Sequence, residues 1–186
     1  LRILEMACQL ASLCIGQRDF AEKLAYRAQH DSLTGLPNRP PFEDWLGLAV
    51  ACAKRHGRPF SVMCLDLDGF QLLNDVLGTN AGDKALQQVG SRIRGCLRET
   101  DIVARWSGDE FRIGLLELKD RDDAMLVAGR LLEKLKTPLE VDGRLVSAQA
   151  TIGVSLYPDD AQDSVALLQN ADCAMFRAKK TNRGGS

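Results

Sequence analysis

The stretch Trp106-Ser-Gly-Asp-Glu-Phe111 lies between two short apolar runs, and this pattern predicts a β-hairpin with the polar residues at its tip. Gly108 has no side chain, so a ligand can approach the backbone closely there. Asp109 and Glu110 point to opposite faces if the second strand begins at once. Two adjacent acids without a nearby lysine indicate a cation site, and the alternative is a solvated turn that binds nothing.

A second candidate ligand follows a nearly continuous apolar run over residues 60–65. Such a run is typical of a central buried strand. Asp66 comes at its end, where a strand holds a carboxylate rigidly at the rim of the sheet and metal ligands are common. The alternative for Asp66 is a helix cap or a salt bridge. Asp68 is expected on the other face of the strand, in a structural role.

Two polar side chains bracket a predicted loop at residues 78–82. Residues 70–77 are expected to form a short helix, and residues 83–96 a longer one. Asn74 and Asp83 then lie on either side of the loop. An amide beside a carboxylate can recognise the N1–H, N2–H and O6 edge of guanine, because the acid accepts from two donors and the amide donates. Two helix caps explain the same spacing equally well.

The remaining segments complete an α+β order of elements. Helices are predicted from Pro40 to about residue 56 and over residues 120–135 and 163–180. Asp142-Gly143 predicts a second hairpin, between residues 139–141 and 145–152. The sheet should be mixed or mainly antiparallel, with Asp66 beside the first hairpin. The last helix ends in a basic turn, which suits the helix dipole and can also hold phosphates.

Residues 1–29 are predicted to form one N-terminal helix. Apolar residues with one polar exception recur at spacings of three and four, as in a heptad seam: Ile3, Met6, Leu10, Leu13, Gln17, Phe20 and Leu24. A parallel dimer stalk is the favoured interpretation, and an amphipathic helix lying on its own domain is the alternative. Gly16 weakens this helix by roughly 1 kcal/mol relative to Ala.

The amino-acid composition limits the class of protein and the partners that we expect. The 186 residues, 45% hydrophobic and 26% charged, are those of an ordinary globular chain, and a net charge of -1 argues against a nucleic-acid partner. Six scattered cysteines without a CxxC pair indicate buried thiols in a reducing compartment. No run approaches the roughly 20 apolar residues of a membrane span. Because the chain starts at Leu1 without a methionine, we expect a fragment of a longer protein, located in the cytoplasm, whose other parts can include membrane or sensor segments.

Seven short motifs occur in the order and register of a GGDEF domain, and together they make the sequence resemble that family over residues 30–183. They are Asp31-x-Leu-Thr-x-Leu-x-Asn-Arg39, Asp66-Leu-Asp-x-Phe70, Asn74-Asp-x-x-Gly78, Gly82-Asp83, Arg98-x-x-Asp101, Ser107-Gly-Asp-Glu-Phe111 and Ala171-Asp-x-Ala-x-Phe-x-Ala-Lys179. Residues 184–186 are interpreted as a linker or the end of the fragment.

The resemblance implies a central five-stranded, mainly antiparallel sheet flanked by helices, akin to nucleotide cyclases and polymerase palms. It also implies diguanylate cyclase activity, in which two GTP molecules become cyclic di-GMP and two pyrophosphates. Two domains must face each other for this reaction, and the N-terminal helix would hold the homodimer together. Mg²⁺ or Mn²⁺ is the implied cofactor. A sensor domain, and possibly a phosphodiesterase domain of the EAL type, would belong to the parent protein.

The resemblance also implies roles for individual residues. The metal ligands would be Asp66, the Leu67 carbonyl, Asp109 and Glu110. Asp109 and Glu110 would be the catalytic residues, with Glu110 supporting activation of the ribose 3′-hydroxyl. The GTP site would contain Asn74, Asp83, Phe70, Gln71, Gly108, Lys179 and Arg183. An inhibitory product site would contain Arg98, Asp101 and, more loosely placed, Arg130.

Four positions depart from the family pattern. Ser107 replaces the first glycine of the signature and adds a Cβ where the backbone meets phosphate. Gln71 replaces a lysine and removes one phosphate cation, Thr79 replaces a histidine, and Asn182 replaces a glycine. These departures leave a second hypothesis open, a GTP-binding regulatory module with weak or no turnover. The intact acids favour the active, product-inhibited cyclase.

Overall fold

The computed structural model describes residues 24–183. Residues 24–29 are helical, and most of the predicted heptad seam lies outside the described residues, as does the predicted linker at 184–186. No helix among the described residues is both long enough and apolar enough to cross a membrane.

Five further helices and six strands follow in chain order. They are α1 Arg39–His56, β1 Phe60–Asp68, α2 Phe70–Leu77, α3 Thr79–Cys96, β2 Ile102–Ser107, β3 Glu110–Leu115, α4 Arg121–Lys136, β4 Leu139–Val141, β5 Arg144–Val146, β6 Gln149–Tyr157 and α5 Ser164–Arg183.

The central sheet has four strands in the order β2-β3-β1-β6, and every neighbouring pair is antiparallel. The predicted α+β class and antiparallel sheet are confirmed, but the expectation of five strands is wrong. Residues 145–152, predicted as one strand, belong to two: among residues 24–183, β5 pairs with β4 alone, and β6 pairs with β1. The predicted Asp142-Gly143 turn joins β4 to β5, with positive φ at both residues.

Local chemistry explains several helix ends. Prolines occupy the first turn of α1, where their missing N–H groups have no helical partner, and Gly57 ends the helix in the left-handed region. The carboxylate of Asp120 accepts from the backbone N–H of Asp123 and caps α4. One prediction was wrong, since α3 begins at Thr79 and not at Asp83. The carbonyl of Gly78 already accepts the first helical hydrogen bonds, so there is no loop over residues 78–82.

The two faces of the sheet are covered differently. Against α3 and α4 lies the larger apolar core, to which β1 and β3 contribute Met63, Leu65, Phe111 and Ile113. The other face packs against α1 and α5. There α5 comes so close to β6 that a Cβ on Gly153 would lie 2.1 Å from the carbonyl oxygen of Ala171. This close approach fixes α5, and the polar side chains that it carries, over the end of β1.

Candidate functional site

Two antiparallel strands bring the predicted acids together at one end of the central sheet. In the β1–β3 pairing, Asp66 lies opposite Glu110, and the backbone N–H of Leu67 donates to the carbonyl oxygen of Asp109 over 3.4 Å. Cross-strand partners project from the same face of a sheet, so the carboxylates of Asp66 and Glu110 are neighbours. The predicted proximity of the β1 end to the hairpin tip is therefore confirmed. Gly108, in the left-handed region with φ 48°, makes the turn.

A lysine from the last helix completes this cluster. Nζ of Lys179 contacts Oδ1 of Asp66 and lies 3.8 Å from Oδ1 of Asp68. The hydroxyl of Thr151 on β6 donates to Asp68 at 3.0 Å. Asp66 and Asp68 thus share one face, as residues two apart in a strand must, and the prediction that they face opposite sides was wrong. No lysine is close to these acids in sequence, but the fold brings Lys179 next to them.

The hairpin-tip carboxylate is in an electronegative environment. Burial raises the pKa of Asp109, and the negative charges of Asp66 and Glu110 raise it further. The positive charge of Lys179 and a hydrogen bond from the Asp109 backbone N–H act in the opposite direction and only partly offset this. Burial is the largest cause of the raised pKa of Asp109, and the neighbouring carboxylates add to it, so a cation at this edge of the sheet would favour the ionised form.

The Glu110 carboxylate has two neighbours on the hairpin. The hydroxyl of Ser107 donates to Oε2 over 3.3 Å, and Nη2 of Arg112 lies 3.5 Å from the same oxygen. Arg112 is almost completely buried, and its Nη2 also donates to Oδ1 of Asp172 on α5 at 2.8 Å. Sequence analysis missed both Arg112 and Asp172. The available signal was a charged residue inside the apolar run of β3, which needs a partner when buried.

The donor chemistry of the cluster fits a hard divalent cation such as Mg²⁺, because all the side chains concerned offer carboxylate oxygens. Within residues 24–183, however, no three carboxylate, imidazole or thiol groups are close enough to one another to hold a metal ion as they stand. Lys179 is the cation that contacts Asp66 in this arrangement. A metal bound by Asp66, Asp109 and Glu110 would therefore require the Lys179 ammonium to shift toward another anion.

The predicted guanine-recognition residues lie at the α2–α3 junction. Gly82 is buried there, and a Cβ at that position would lie 1.8 Å from Oδ1 of Asn74 and 3.1 Å from Cζ of Phe70. Only glycine leaves room for the Asn74 amide in this orientation. Asp83 follows on the exposed side of α3. The amide of Gln71 donates to Asp75 at 2.9 Å on the exposed side of α2. The Arg183 side chain lies outside what the structure describes.

The three residues assigned to a product site share one cavity of about 380 Å³, beyond the other end of the sheet from the acids. Arg98 and Asp101 line it from the turn before β2, and Arg130 lines it from α4. Oδ2 of Asp101 accepts from the backbone N–H of Arg98 at 2.9 Å, which fixes the turn. Nη2 of Arg130 donates to the carbonyl of Cys96 at 2.6 Å. The cavity thus has two guanidinium groups at its edge.

A further contact links the chain before α1 to the hairpin tip. The guanidinium of Arg105 donates to both oxygens of Asp31, at 3.0 and 3.1 Å, and to the carbonyl of Gly108, at 2.9 and 2.8 Å. Burial alone would raise the pKa of Asp31. Hydrogen bonds from Thr34 and the charge of Arg105 outweigh burial and hold that pKa below its usual value. The first motif of the sequence therefore supports the turn that carries Asp109.

Comparisons with known proteins agree with this architecture. The family described as "Diguanylate cyclase, GGDEF domain" matches residues 28–185. Diguanylate cyclase TpbB of Pseudomonas aeruginosa is 44% identical over 168 residues, which cover 90% of this chain and 39% of TpbB. NbdA of the same species, named a cyclic di-GMP phosphodiesterase, is 40% identical over 173 residues, which cover 92% of this chain and 22% of NbdA.

The fold has a counterpart among solved structures. The GGDEF domain of TpbB superposes with a TM-score of 0.80 at 44% identity, covering 82% of this chain and 89% of that one. This chain spans about two fifths or less of the length of the two curated relatives. It belongs to the GGDEF-domain family of diguanylate cyclases.

Proposed function

We propose that this domain condenses two GTP molecules into cyclic di-GMP and two pyrophosphates. The observation that carries the proposal is the carboxylate cluster at one sheet edge, where Asp66 pairs across strands with Glu110 and Asp109 occupies the adjoining turn. A purely structural cluster gives no reason to gather these charges where burial raises the pKa of Asp109. The name of TpbB points to the same reaction.

In the proposed reaction, the 3′-oxygen of one GTP attacks the α-phosphorus of the other, a phosphodiester bond forms and pyrophosphate leaves. Asp66, the Leu67 carbonyl, Asp109 and Glu110 would hold Mg²⁺ or Mn²⁺. When bound, the metal would lower the pKa of the attacking hydroxyl and neutralise charge on pyrophosphate. Glu110, the cross-strand partner of Asp66, would orient that hydroxyl, and the open turn at Gly108 would leave room for phosphate oxygens.

Two other groups of residues would hold the substrate. Lys179, released from Asp66, would pair with the terminal phosphates, together with Arg183. Asn74 and Asp83 would recognise guanine, and the Phe70 side chain would line the pocket that holds the base. Gln71 supplies no charge there and instead bonds to Asp75 on its own helix. Selectivity for GTP over ATP then rests on the Asn74 amide that buried Gly82 accommodates.

One domain binds one GTP, so product requires two domains face to face. We propose that the N-terminal helix brings them together and that the domain works in the cytoplasm as part of a longer signalling protein. Product would return to the cavity edged by Arg98 and Arg130 and inhibit turnover. Arg98→Ala is then expected to relieve inhibition by cyclic di-GMP in a titration of initial rates. Unchanged inhibition would remove this role from Arg98.

The test of the main proposal is a product assay on the purified protein with GTP and Mg²⁺, analysed by chromatography. Wild type is expected to form cyclic di-GMP, and Glu110→Gln to abolish its formation while GTP still binds. Glu140→Gln is the matched control, because Glu140 is an exposed acid on β4, in the separate two-stranded sheet, and its neutralisation should leave the rate unchanged. An active Glu110→Gln variant would overturn the assignment of that residue.

A second candidate function is a GTP-binding regulatory module without turnover. Ser107 favours it, since this position of the signature carries a side chain that already contacts Glu110. The relative NbdA, which is 40% identical over 92% of this chain, is named for a phosphodiesterase and not for a cyclase. This function would be supported if GTP binds with Mg²⁺-dependent affinity and no cyclic di-GMP appears even at high protein concentration.

A further inference from the structure

Arg112 is a charged side chain in an unusual place. It lies in the middle of β3 and its side chain is only 4% exposed. Burying a guanidinium is costly unless carboxylates compensate its charge. Asp172 does so directly, at 2.8 Å, and Glu110 lies 3.5 Å away. The ring of Trp106 lies 5.2 Å from the Arg112 guanidinium carbon and covers a further side of it.

The geometry around Glu110 is asymmetric. Both of its hairpin neighbours, Ser107 and Arg112, approach the same oxygen, Oε2. Neither contact involves Oε1. When one oxygen of a carboxylate is held by hydrogen bonds, the carboxylate cannot rotate freely about the last side-chain bond. Its other oxygen then points in a fixed direction. Because Arg112 is itself held by Asp172, the direction of Glu110 depends on α5.

We infer that Arg112, anchored by Asp172, is a positioning residue that orients the Glu110 carboxylate, with the Ser107 hydroxyl as its second support. The inference rests on the proposed function in so far as Glu110 acts on the substrate or the metal. It gives Ser107 a role of its own, because the side chain that departs from the signature directs its hydroxyl to Glu110. It also links Glu110 to the helix that carries Lys179.

The competing explanation is that the Arg112–Asp172 pair only fastens α5 to the sheet. The two explanations differ in what they predict for catalysis in a folded protein. If the pair only fastens α5, its removal lowers stability, and any loss of activity is proportional to the unfolded fraction of the protein. A positioning residue lowers kcat while the KM for GTP stays nearly constant, because substrate contacts elsewhere are intact. The protein used for the test is the full 186-residue chain.

The central variant is Arg112→Met, which keeps an unbranched side chain as long as that of arginine up to Nε and removes the charged end. We expect kcat to fall about 10- to 100-fold, the usual loss when a group that supports a metal ligand is removed, with KM changed less than about twofold. Arg112→Lys should recover part of the loss, since one ammonium cannot serve two carboxylates as a planar guanidinium does. Arg58→Met is the matched control, because it removes an exposed guanidinium that pairs with Glu117 and should leave kcat unchanged.

In the kinetics of Arg112→Met, two results would overturn the inference: a folded variant with the kcat of wild type, or a loss in which kcat falls only in proportion to the unfolded fraction measured by circular dichroism. If Arg112→Met does not fold, Arg112→Lys decides, because it keeps the buried charge. A kcat for Arg112→Lys equal to that of wild type overturns the inference, and a reduced kcat at constant KM supports it.

A separate arm distinguishes this inference from the proposed function. Mn²⁺ affinity is measured by electron paramagnetic resonance in the presence of a GTP analogue with a methylene bridge between the α and β phosphates. Absence of product from wild type would refute the proposed function alone. Arg112→Met should still weaken Mn²⁺ binding about tenfold, because a misdirected Glu110 is a poorer ligand. Unchanged Mn²⁺ affinity in the folded variant would refute the positioning role, whether or not wild type makes product.

Discussion

β1 and β3 present two contrasting faces built from alternating residues of the same strands. Toward α3 and α4, Leu65 and Phe111 are fully buried in the apolar core. Toward α5, the intervening Asp66, Glu110 and Arg112 carry charge and contact one another or the helix. The two-residue period of a strand makes this division possible. On the apolar face each side chain contributes through buried area, whereas on the charged face each depends on one particular partner.

The difference has a practical consequence for substitutions. Truncation on the apolar face removes contacts with many neighbours, so its cost appears in the free energy of unfolding. Removal of one charge on the α5 face leaves a partner unpaired, and its effect on function can exceed its effect on stability. Substitutions on each face, and at the positions that hold the α5 face in place, test the contrast.

The largest effect on stability is expected for Phe111→Ala. Phe111 is fully buried in the apolar core, and truncation of a buried phenylalanine costs about 3–5 kcal/mol. Urea denaturation should give this loss in the free energy of unfolding, while the remaining folded protein binds GTP as wild type does. Phe176→Ala is the control, because Phe176 on α5 is 58% exposed and its truncation should cost well under 1 kcal/mol. A loss below about 1 kcal/mol for Phe111→Ala would contradict the division between the two faces.

Gly153→Ala should give the next largest effect. Its Cβ would lie 2.1 Å from the carbonyl oxygen of Ala171 and 2.3 Å from the backbone nitrogen of Met175, so α5 must move away from β6. Such overpacking costs about 1–3 kcal/mol. The displacement should also lower GTP turnover, because Lys179 and Asp172 move with the helix.

Gly129→Ala is the matched control for this substitution. Gly129 lies within α4, and in the part of the chain that the structure describes no atom beyond its own helix backbone comes within 4 Å of an added Cβ. Alanine there should stabilise the protein by up to about 1 kcal/mol, because glycine is the poorer helix former. Thermal unfolding of the two variants measures the difference. If Gly153→Ala were as stable as wild type, the close approach of α5 to the sheet would not be essential.

Sequence patterns predicted the local features of both faces. The hairpin with its tip at Gly108, the strand ending near Asp66 and the helix Phe70–Leu77 all follow from periodicity and turn residues within a short window. The start of α3 was missed because Gly78 permits a helix to begin directly where glycine and asparagine suggested a loop. The four-stranded sheet was missed because pairing choices between β4, β5 and β6 depend on distant segments.

The same dependence on distant segments explains which contacts of the candidate site could not be predicted from the sequence. The acids were found because strand ends and turns mark them locally. The contact between Arg112 and Asp172 joins residues 60 apart in sequence, and the contact between Lys179 and Asp66 joins residues 113 apart. Neither pair has a spacing that a helix or strand period would predict. Only the packing of α5 against the sheet, which requires Gly153, creates these partners.

Asp31→Asn should have a smaller effect, and one that depends on pH. Asp31 fixes the hairpin tip through Arg105, and replacing a charged acceptor by a neutral one costs about 1 kcal/mol. The pKa of Asp31 is lower in the folded protein than its ordinary value of 3.8. Its ionised form therefore contributes stability above the ordinary pKa, and that contribution is lost as the pH falls through the lowered value.

The stability difference between wild type and Asp31→Asn should accordingly be constant from pH 7 to pH 5 and shrink below the ordinary pKa of 3.8. Urea denaturation across this range measures it. Asp159→Asn, at an exposed position in the turn after β6, controls for the loss of a negative charge. A difference that grew on acidification would mean that the carboxyl of Asp31 is better stabilised in its protonated form.

Arg58→Ala should have the smallest effect, and it tests the contrast most directly. Arg58 and Arg112 both pair with a carboxylate at 2.8 Å, but their side chains are 69% and 4% exposed. Water and salt screen the exposed pair with Glu117, so its loss should cost between 0 and about 1 kcal/mol and still less at high ionic strength. The Arg112 pair is screened less, because its guanidinium is buried while the Asp172 side chain is 46% exposed, and its removal leaves Asp172 and Glu110 without this partner. Urea denaturation at low and high salt measures the loss in the free energy of unfolding for Arg58→Ala and Arg112→Ala. Equal losses would mean that the stabilisation by an ion pair in this fold depends on the distance between the charged atoms and not on their burial.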